Sequence, residues 1–210
     1  MSDSSNGQFD SPAPRFASRG KAYVYVLPCR DRDLVKLGFA RDPLQRFISL
    51  HRRFHVFFDL TRGLLVEVDK VAEARKIERI LLRQFVAERG GAPLEVREAA
   101  GGKTEWYRGV DARVMERARE LALEGGHATI APLRRWFTQR LTEDADRVYD
   151  WSARVYEVIR EAEHYGADAS KAVDVLSLTL ERYEAAGLAI ASLVPDDVMS
   201  WFQQHAAQRF

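Results

Sequence analysis

The alternation of apolar and polar positions near the start of the chain is typical of β-strands. Residues 22–27 (AYVYVL) and 34–39 (LVKLGF) are rich in Val, Leu and Tyr, and a polar segment, residues 28–33, separates them. This pattern predicts a β-hairpin. Apolar side chains spaced by twos within residues 55–68 predict a third strand. The sequence therefore predicts a small antiparallel three-stranded sheet.

Helical periodicity is the second pattern, and it predicts one helix before the third strand and another after it. Asp42 followed by Pro43 predicts the N-cap and first turn of a helix that runs to about residue 54. Residues 71–85 repeat apolar side chains by threes and fours and predict another helix. The β pattern then stops, and helical spacing covers residues 112–123, 132–165, 169–191 and 195–208. The predicted fold class is α+β, with the small sheet flanked by helices and followed by an α-helical domain.

Changes in composition divide the chain into three parts. Residues 1–20 are rich in Ser, Pro, Gly and Asn and are expected to form a disordered N-terminal segment. Residues 21–110 form the predicted α+β domain, and residues 111–210 form the helical domain. In the helical domain, apolar residues such as Val148 and Trp151 recur by threes and fours. That spacing is typical of a bundle core or of a homodimer interface, and both interpretations stay open.

Composition and charge narrow the classes of protein that fit. No window approaches about eighteen consecutive apolar residues and no apolar signal segment precedes the hairpin, so we expect a cytoplasmic protein without a membrane partner. Cys29 is the single cysteine and cannot form an internal disulfide. Residues 21–110 hold 18 Lys and Arg against 12 Asp and Glu, a net charge of +6, whereas residues 111–210 hold 12 against 17, a net charge of −5. A basic first half indicates a polyanionic partner such as nucleic acid.

One carboxylate in the predicted helix at residues 71–85 needs an explanation. Glu78 falls inside the apolar stripe of that helix. Apolar residues stand four and seven positions before and after Glu78: Val71, Ala74, Leu82 and Phe85. An inward carboxylate is costly unless a cation or a metal ion accompanies it. Two interpretations remain open: a structural carboxylate, either at the edge of the stripe or paired with Arg46, and a metal ligand.

The predicted hairpin places a phenol beside an ammonium group. If residues 28–33 form the loop, Tyr25 lies directly opposite Lys36, and opposed side chains share one face of a sheet. A nearby cation stabilises a phenolate and lowers the pKa of the phenol, so Tyr25 could accept a proton. The alternative interpretation is an aromatic–lysine pair on a solvent-exposed face.

Several short features follow one another at informative spacings. They are two hairpin motifs, an arginine eight residues beyond the second motif, a glutamate in a later helix and a Glu-Trp-aromatic element: Tyr23-Val24-Tyr25, Lys36-Leu37-Gly38, Arg46, Glu78 and Thr104-Glu105-Trp106-Tyr107. In this order they resemble the GIY-YIG endonuclease superfamily, in its divergent phage-type branch, over residues 21–109. Each motif is short, but their combined order and spacing make the resemblance specific.

The resemblance implies a divalent-metal-dependent endonuclease that hydrolyses DNA phosphodiester bonds, with the helical domain as an accessory module. It implies that Glu78 binds one divalent cation, Mg²⁺ or Mn²⁺. It also implies that Tyr25, with Lys36 beside it, helps to activate water and that Arg46 holds the scissile phosphate. These roles agree with what in-line attack on a phosphodiester requires, namely an activated nucleophile, a Lewis acid and a cation for the developing negative charge.

The chain departs from the family pattern at several points. Tyr23 stands where the first motif usually has glycine, and no residue clearly matches the late asparagine of many members. Lys36 stands where the second motif usually has tyrosine, and Leu82 stands where a histidine often follows the glutamate. These departures leave an alternative open, a binding module that keeps the fold and binds nucleic acid without cutting it. In either case Arg52 and Arg53 are expected to supply sequence-independent attraction to DNA, and RNA is a second polyanion that would fit.

Overall fold

The chain folds into an α+β structure, as the sequence predicts. The structure, a computed structural model, describes residues 20–96 and 103–207. The predicted disordered segment, residues 1–20, lies outside the described residues except for Gly20. The chain divides into two units, each described separately below.

The first unit ends at Phe137, and the second begins with the next residue, within a helix. The first unit contains β1 (Ala22–Pro28), β2 (Leu34–Ala40), α1 (Pro43–Leu50), α2 (Phe54–Phe57), β3 (Leu64–Val68), α3 (Val71–Gln84), β4 (Arg89–Gly90), β5 (Trp106–Arg108), α4 (Asp111–Gly125), β6 (Ala128–Ile130) and the start of α5 (Leu133–Thr142). The second unit contains the rest of α5, α6 (Ala145–His164), α7 (Ser170–Ala185) and α8 (Asp196–Ala207).

The strands form one antiparallel six-stranded sheet, so the predicted three-stranded sheet is wrong in extent. The strand order is β4-β5-β2-β1-β3-β6. The three predicted strands are present, but β3 covers only Leu64–Val68, and part of the segment before it, Phe54–Phe57, is helical. β4, β5 and β6 are two or three residues long. Strands of that length are too short to show the alternation by which a sequence reveals a strand.

β1 is a central strand, and both of its faces are covered. Ala22, Val24 and Val26 lie in the apolar core that the sheet forms with α3 and α4. Side chains alternate along a strand, so Tyr25 faces the opposite side. There its ring meets Phe47 of α1 edge-on, with 5.6 Å between the ring centroids. This second face of the sheet carries the candidate site.

α4 belongs to the first unit, so the structure does not place a domain boundary at residue 110. Val114, Met115 and Ala118 of α4 lie in the same apolar core as the sheet. β6, which follows α4, pairs with β3. The first unit therefore extends to Phe137. Helical periodicity shows which face of α4 is apolar, but it does not show which core that face packs against.

The second unit is helical, as predicted, but the predicted helix at residues 132–165 is two helices. α5 ends at Thr142, and α6 begins at Ala145. The apolar seam of α6, which includes Val148 and Trp151, is buried within the chain itself. These side chains therefore serve as core. Within the described ranges, no helix is long and apolar enough to cross a membrane.

Candidate active site

The pairing of β1 with β2 differs from the prediction by two residues. Tyr25 lies opposite Gly38, and Lys36 lies opposite Leu27. The difference arises because Pro28 and Cys29 also pair with the second strand, Cys29 through a hydrogen bond from its N–H to the carbonyl oxygen of Leu34, which leaves a loop two residues shorter than predicted. A shift by an even number of residues keeps each side chain on its face of the sheet. Tyr25 and Lys36 are therefore diagonal neighbours on one face, not opposed residues.

Gly38 is required because the ring of Tyr25 lies across it. A Cβ atom at position 38 would lie 2.5 Å from Cζ of Tyr25 and closer still to its hydroxyl oxygen. Tyr25 is only 1% exposed and its ring is held by Phe47, so the ring has little room to move away. The glycine of the second hairpin motif therefore sets the position of the phenol.

Gly38→Ala is expected to destabilise the protein by about 1–3 kcal/mol, because the added methyl group overpacks a buried contact. Equilibrium unfolding in urea measures the change in the free energy of unfolding. Gly91→Ala is the matched control, since nothing lies within 4 Å of a Cβ built there. If Gly38→Ala unfolds at the same urea concentration as the wild type, the ring does not lie over this glycine in the folded protein.

The cation that contacts Tyr25 is Arg46, not Lys36 as the sequence predicts. Asp42 caps α1, as predicted, by accepting a hydrogen bond from the backbone N–H of Gln45 at 3.0 Å. Further along this turn, Nε of Arg46 donates to the Tyr25 hydroxyl at 3.2 Å. Burial raises the pKa of Tyr25, and Arg46 offsets part of that effect. The phenol is therefore protonated near neutral pH, and its ionisation depends on Arg46.

Lys36 forms an ion pair with Glu105, the residue before β5. Nζ of Lys36 donates to Oε2 of Glu105 at 2.6 Å, and the lysine side chain is fully buried while 27% of the glutamate side chain is exposed. Burial lowers the pKa of Lys36, and Glu105 opposes this effect. Burial also acts to raise the pKa of Glu105, but the hydrogen bond and charge of Lys36 outweigh it and the pKa is lowered.

Sequence reasoning named Glu105 only as part of the Glu-Trp-aromatic element and missed its contact with Lys36. A signal for this contact was available. Lys36 stands in the middle of an otherwise apolar strand, and a buried ammonium group requires a carboxylate partner. The sequence could not show which of the chain's carboxylates would reach it, because β5 is remote along the chain and only three residues long.

Glu78 lies at the edge of the buried stripe of α3, not inside it as predicted. The buried residues of α3 are Ala74, Ile77 and Leu81, and Glu78 is half-buried beside them. The backbone N–H of Phe39 lies close enough to the Glu78 carboxylate to lower its pKa slightly. α3 therefore presents Glu78 to the end of β2 that carries Gly38.

This edge of β2 is open because its pairing with β5 stops. The N–H of Leu37 donates to the carbonyl oxygen of Glu105 at 3.0 Å, on the side of β5. N–H groups two residues apart in a strand point to the same side. The N–H of Phe39 therefore points past the paired segment, on the side where the Glu78 carboxylate lies near enough for this group to lower its pKa. Glu78 and Glu105 consequently lie along the same edge of β2.

The two carboxylates of this edge form a donor set that fits a divalent cation. Burial raises the pKa of Glu78, the charge of Glu105 raises it further, and Lys36 lowers it. A divalent cation would relieve the repulsion between these carboxylates, and Mg²⁺ and Mn²⁺ favour carboxylate oxygens with water or substrate completing the shell. In the part of the chain that the structure describes, no group of three or more His, Cys, Asp or Glu side chains suits a metal ion. Any metal here would thus rely on ligands from water or substrate.

The remaining predicted binding residues lie apart from this cluster. Arg52 and Arg53 are exposed in the turn that follows α1. His51 is the C-cap of α1, and its ring stacks on Phe57 with 4.5 Å between the centroids. The structure thus brings together four of the six predicted site residues: Tyr25, Lys36, Arg46 and Glu78.

Comparison of the chain with models of known protein families, with curated proteins and with solved structures finds no match. The function proposed below is therefore inferred from the geometry and chemistry of the candidate site.

Proposed function

We propose that this protein is a divalent-metal-dependent endonuclease that hydrolyses DNA phosphodiester bonds. One observation carries the proposal: side chains from remote parts of the sequence converge around Gly38, on the Tyr25 face of the sheet and at the adjacent edge of β2. They are Tyr25, Lys36, Arg46, Glu78 and Glu105. The resemblance of the motifs to the GIY-YIG superfamily supports the same conclusion, because it assigns chemical roles to Tyr25, Arg46 and Glu78.

The cluster supplies each group that phosphodiester hydrolysis needs. Arg46 would bind the scissile phosphate, since a guanidinium group matches phosphate oxygens and offsets the charge that develops in the transition state. Glu78 and Glu105 would hold one Mg²⁺ or Mn²⁺. Such a cation, when bound, acts as a Lewis acid and lowers the pKa of coordinated water.

The two buried residues of the cluster would position the others. Lys36 holds Glu105 at the edge of β2 through its ion pair. Tyr25, held by Arg46, would orient the attacking water and accept its proton. Burial raises the pKa of Tyr25, and the hydrogen bond and charge of Arg46 lower it. The charge of Arg46 is therefore what would make such a proton transfer accessible.

The decisive experiment is a cleavage assay on single-stranded, duplex and branched DNA with Mg²⁺, with Mn²⁺ and with a chelator. We expect cleavage that requires the metal and is lost in Glu78→Ala, while the circular dichroism spectrum stays that of the wild type. Arg79→Ala, a change at the exposed next position of α3, is the control for substitution in this helix. Cleavage that persists in the presence of chelator, or in Glu78→Ala, would contradict the proposal.

A catalytically impaired nucleic-acid-binding module is the second candidate. It is favoured by Leu82, which offers no ligand one turn beyond Glu78, and by the commitment of Glu105 to Lys36. This candidate predicts binding of DNA or RNA without cuts under every metal condition. Including an RNA strand in the same assay panel, with a binding measurement beside each cleavage measurement, separates the two candidates.

A further inference from the structure

A groove beside the candidate site has the chemistry of a nucleotide subsite, and we propose that it binds one unpaired nucleotide of the substrate next to the scissile phosphate. The inference rests on the proposed function and extends it by naming the form of DNA that the site accepts. The groove has a volume of about 300 Å³. The side chains that line the groove include Cys29, Arg32, His51, Arg53, Phe57 and Glu95.

The groove lies within nucleotide distance of the candidate site. α1 carries Arg46 and ends at His51, and five residues of an α-helix span about 7.5 Å. Successive phosphates of one stacked DNA strand advance by about 3.4 Å along the helix axis. A strand whose scissile phosphate is bound by Arg46 would therefore reach the groove within about two nucleotides.

A buried tryptophan lies near both the site and the groove. Nζ of Lys36 lies 5.8 Å from the ring centroid of Trp106. The ring of Phe57, which lines the groove, lies edge-on to Trp106 with 6.4 Å between the centroids. Trp106 itself has no exposed surface. The position of the groove relative to the candidate site is thus fixed by packed rings.

The groove contains planar side chains that already stack on one another, and an unpaired base would extend this stack. His51 and Phe57 are stacked at 4.5 Å with 14° between their planes, and the guanidinium of Arg32 lies 5.8 Å from the centroid of Phe57. Aromatic rings and guanidinium planes are the surfaces that proteins use to stack unpaired bases. A paired base exposes only its edges in the grooves of the duplex. The surfaces therefore suit an unpaired nucleotide and not a base within duplex DNA.

Glu95 occupies the place in which the phosphate of that nucleotide would bind. Both terminal nitrogens of Arg32 donate to the two carboxylate oxygens of Glu95, Nη1 to Oε2 at 2.9 Å. The hydrogen bonds from Arg32 lower the pKa of Glu95 to about 2, so the carboxylate stays ionised. The same two-nitrogen geometry suits phosphate. Both side chains are more than 40% exposed, and exposed ion pairs exchange partners readily.

Thiol chemistry is a different use of this groove, because Cys29 and His51 both line it. Burial raises the pKa of the Cys29 thiol to about 11, and Arg32 offsets only part of this effect. The thiol is therefore protonated at neutral pH, whereas a nucleophilic cysteine requires the thiolate. Binding, not covalent catalysis, is the function that fits the groove.

The test uses the full chain carrying Glu78→Gln, so that substrate stays uncut, and DNA duplexes with a single-stranded tail in which 2-aminopurine replaces one base at a time. We expect the fluorescence of 2-aminopurine to be quenched by stacking at one or two positions next to the cut site mapped with the wild-type enzyme. Phe57→Leu should abolish this quenching and weaken binding of the tailed duplex by about tenfold or more. Tyr165→Leu, at a tyrosine 79% exposed in the second unit, should change neither.

Glu95→Gln provides a second variant that does not disturb packed rings. It should strengthen binding of the tailed duplex several-fold and leave binding of a fully paired duplex nearly unchanged, because it releases Arg32 for the phosphate. Glu124→Gln, an equal change of charge at an exposed residue of α4, controls for net charge. An equal gain in both variants, or no quenching at any tail position, overturns the subsite. Cleavage of fully paired duplex by the wild type reports on the proposed function separately, and it would survive failure of the subsite.

Discussion

Substitution of Glu105 by alanine is expected to lower the free energy of unfolding by about 3 kcal/mol or more, because it leaves a buried ammonium group without its partner. Substitution of the other partner, Lys36→Met, is expected to lower the free energy of unfolding by less than about 1.5 kcal/mol, since methionine fills a similar volume. The asymmetry follows from burial. Lys36 is fully buried, whereas 27% of the Glu105 side chain is exposed and water can solvate it. Urea unfolding of both variants measures the difference.

The pH dependence of the Glu105 variant provides a second check. Burial lowers the pKa of Lys36 below its usual value of 10.5, and Glu105 opposes that effect. Without Glu105 the pKa of Lys36 falls further. Between the folded and unfolded pKa values the unfolded chain binds more protons, so stability rises with pH in that range. Glu105→Ala should therefore recover part of its lost stability as the pH is raised from 7 toward 10.

A larger loss of stability in Lys36→Met than in Glu105→Ala would contradict the predicted dependence of Lys36 on its ion pair. If Lys36→Met is the more damaging change, or if Glu105→Ala shows the same pH dependence as the wild type between pH 7 and 10, then Lys36 does not depend on Glu105. Glu120→Ala is a suitable control, because its ion pair with Arg117 on α4 leaves 52% of its side chain exposed. Exposed pairs of this kind contribute about 0–1 kcal/mol.

Tyr25→Phe is expected to lower the rate of DNA cleavage by about 10²- to 10⁴-fold with little change in DNA affinity, the range typical of general acid–base catalysis. The substitution removes only the hydroxyl that accepts the hydrogen bond of Arg46. Arg46→Ala should reduce the rate at least as much, because it removes both the phosphate contact and the cation beside the phenol. Since the two residues act as a unit, the double variant should be little slower than Arg46→Ala alone. Single-turnover kinetics separate the chemical step from binding.

The pH–rate profile distinguishes proton transfer from a purely structural role of Tyr25. Burial raises the pKa of Tyr25 above its usual value of 10, and Arg46 offsets part of this rise. If the phenolate accepts the proton, the cleavage rate rises with pH in the wild type and the rise is lost in Tyr25→Phe. Removal of the Arg46 charge should move the alkaline limb to higher pH.

Exposed arginines provide the matched control for this prediction. Replacing Arg52 and Arg53 by alanine should weaken DNA binding and reduce its log–log salt dependence by up to about two units, roughly 0.9 per phosphate contact, while the chemical rate is retained. Both residues are exposed and stand outside the cluster. If Tyr25→Phe cleaves at the wild-type rate over the whole pH range, the proton acceptor is another group, and His51 is the next residue to substitute.

The main strands and helices of this protein could be predicted from the sequence because each depends on residues close together in the chain. The hairpin strands, the helix that follows the Asp42 cap and the helix that carries Glu78 are all present. Their signals are alternation, a capping residue before proline, and spacing by threes and fours. The hairpin pattern also drew attention to Tyr25 and Lys36, although the prediction that they lie directly opposite each other was wrong.

The tertiary structure determined which side chains contact one another at the candidate site. The hairpin loop is two residues shorter than predicted, which moved the partner of Tyr25 from Lys36 to Gly38, and Arg46 is the cation at its hydroxyl. Three strands of two or three residues completed the sheet, and one of them placed Glu105 beside Lys36. Such short segments gain stability only from pairing with distant strands, so their own sequence carries no period that could reveal them. The chemical identity of the candidate site was thus determined by sequence, and its ion pairs, its open edge and the groove beside it were determined by contacts between remote segments.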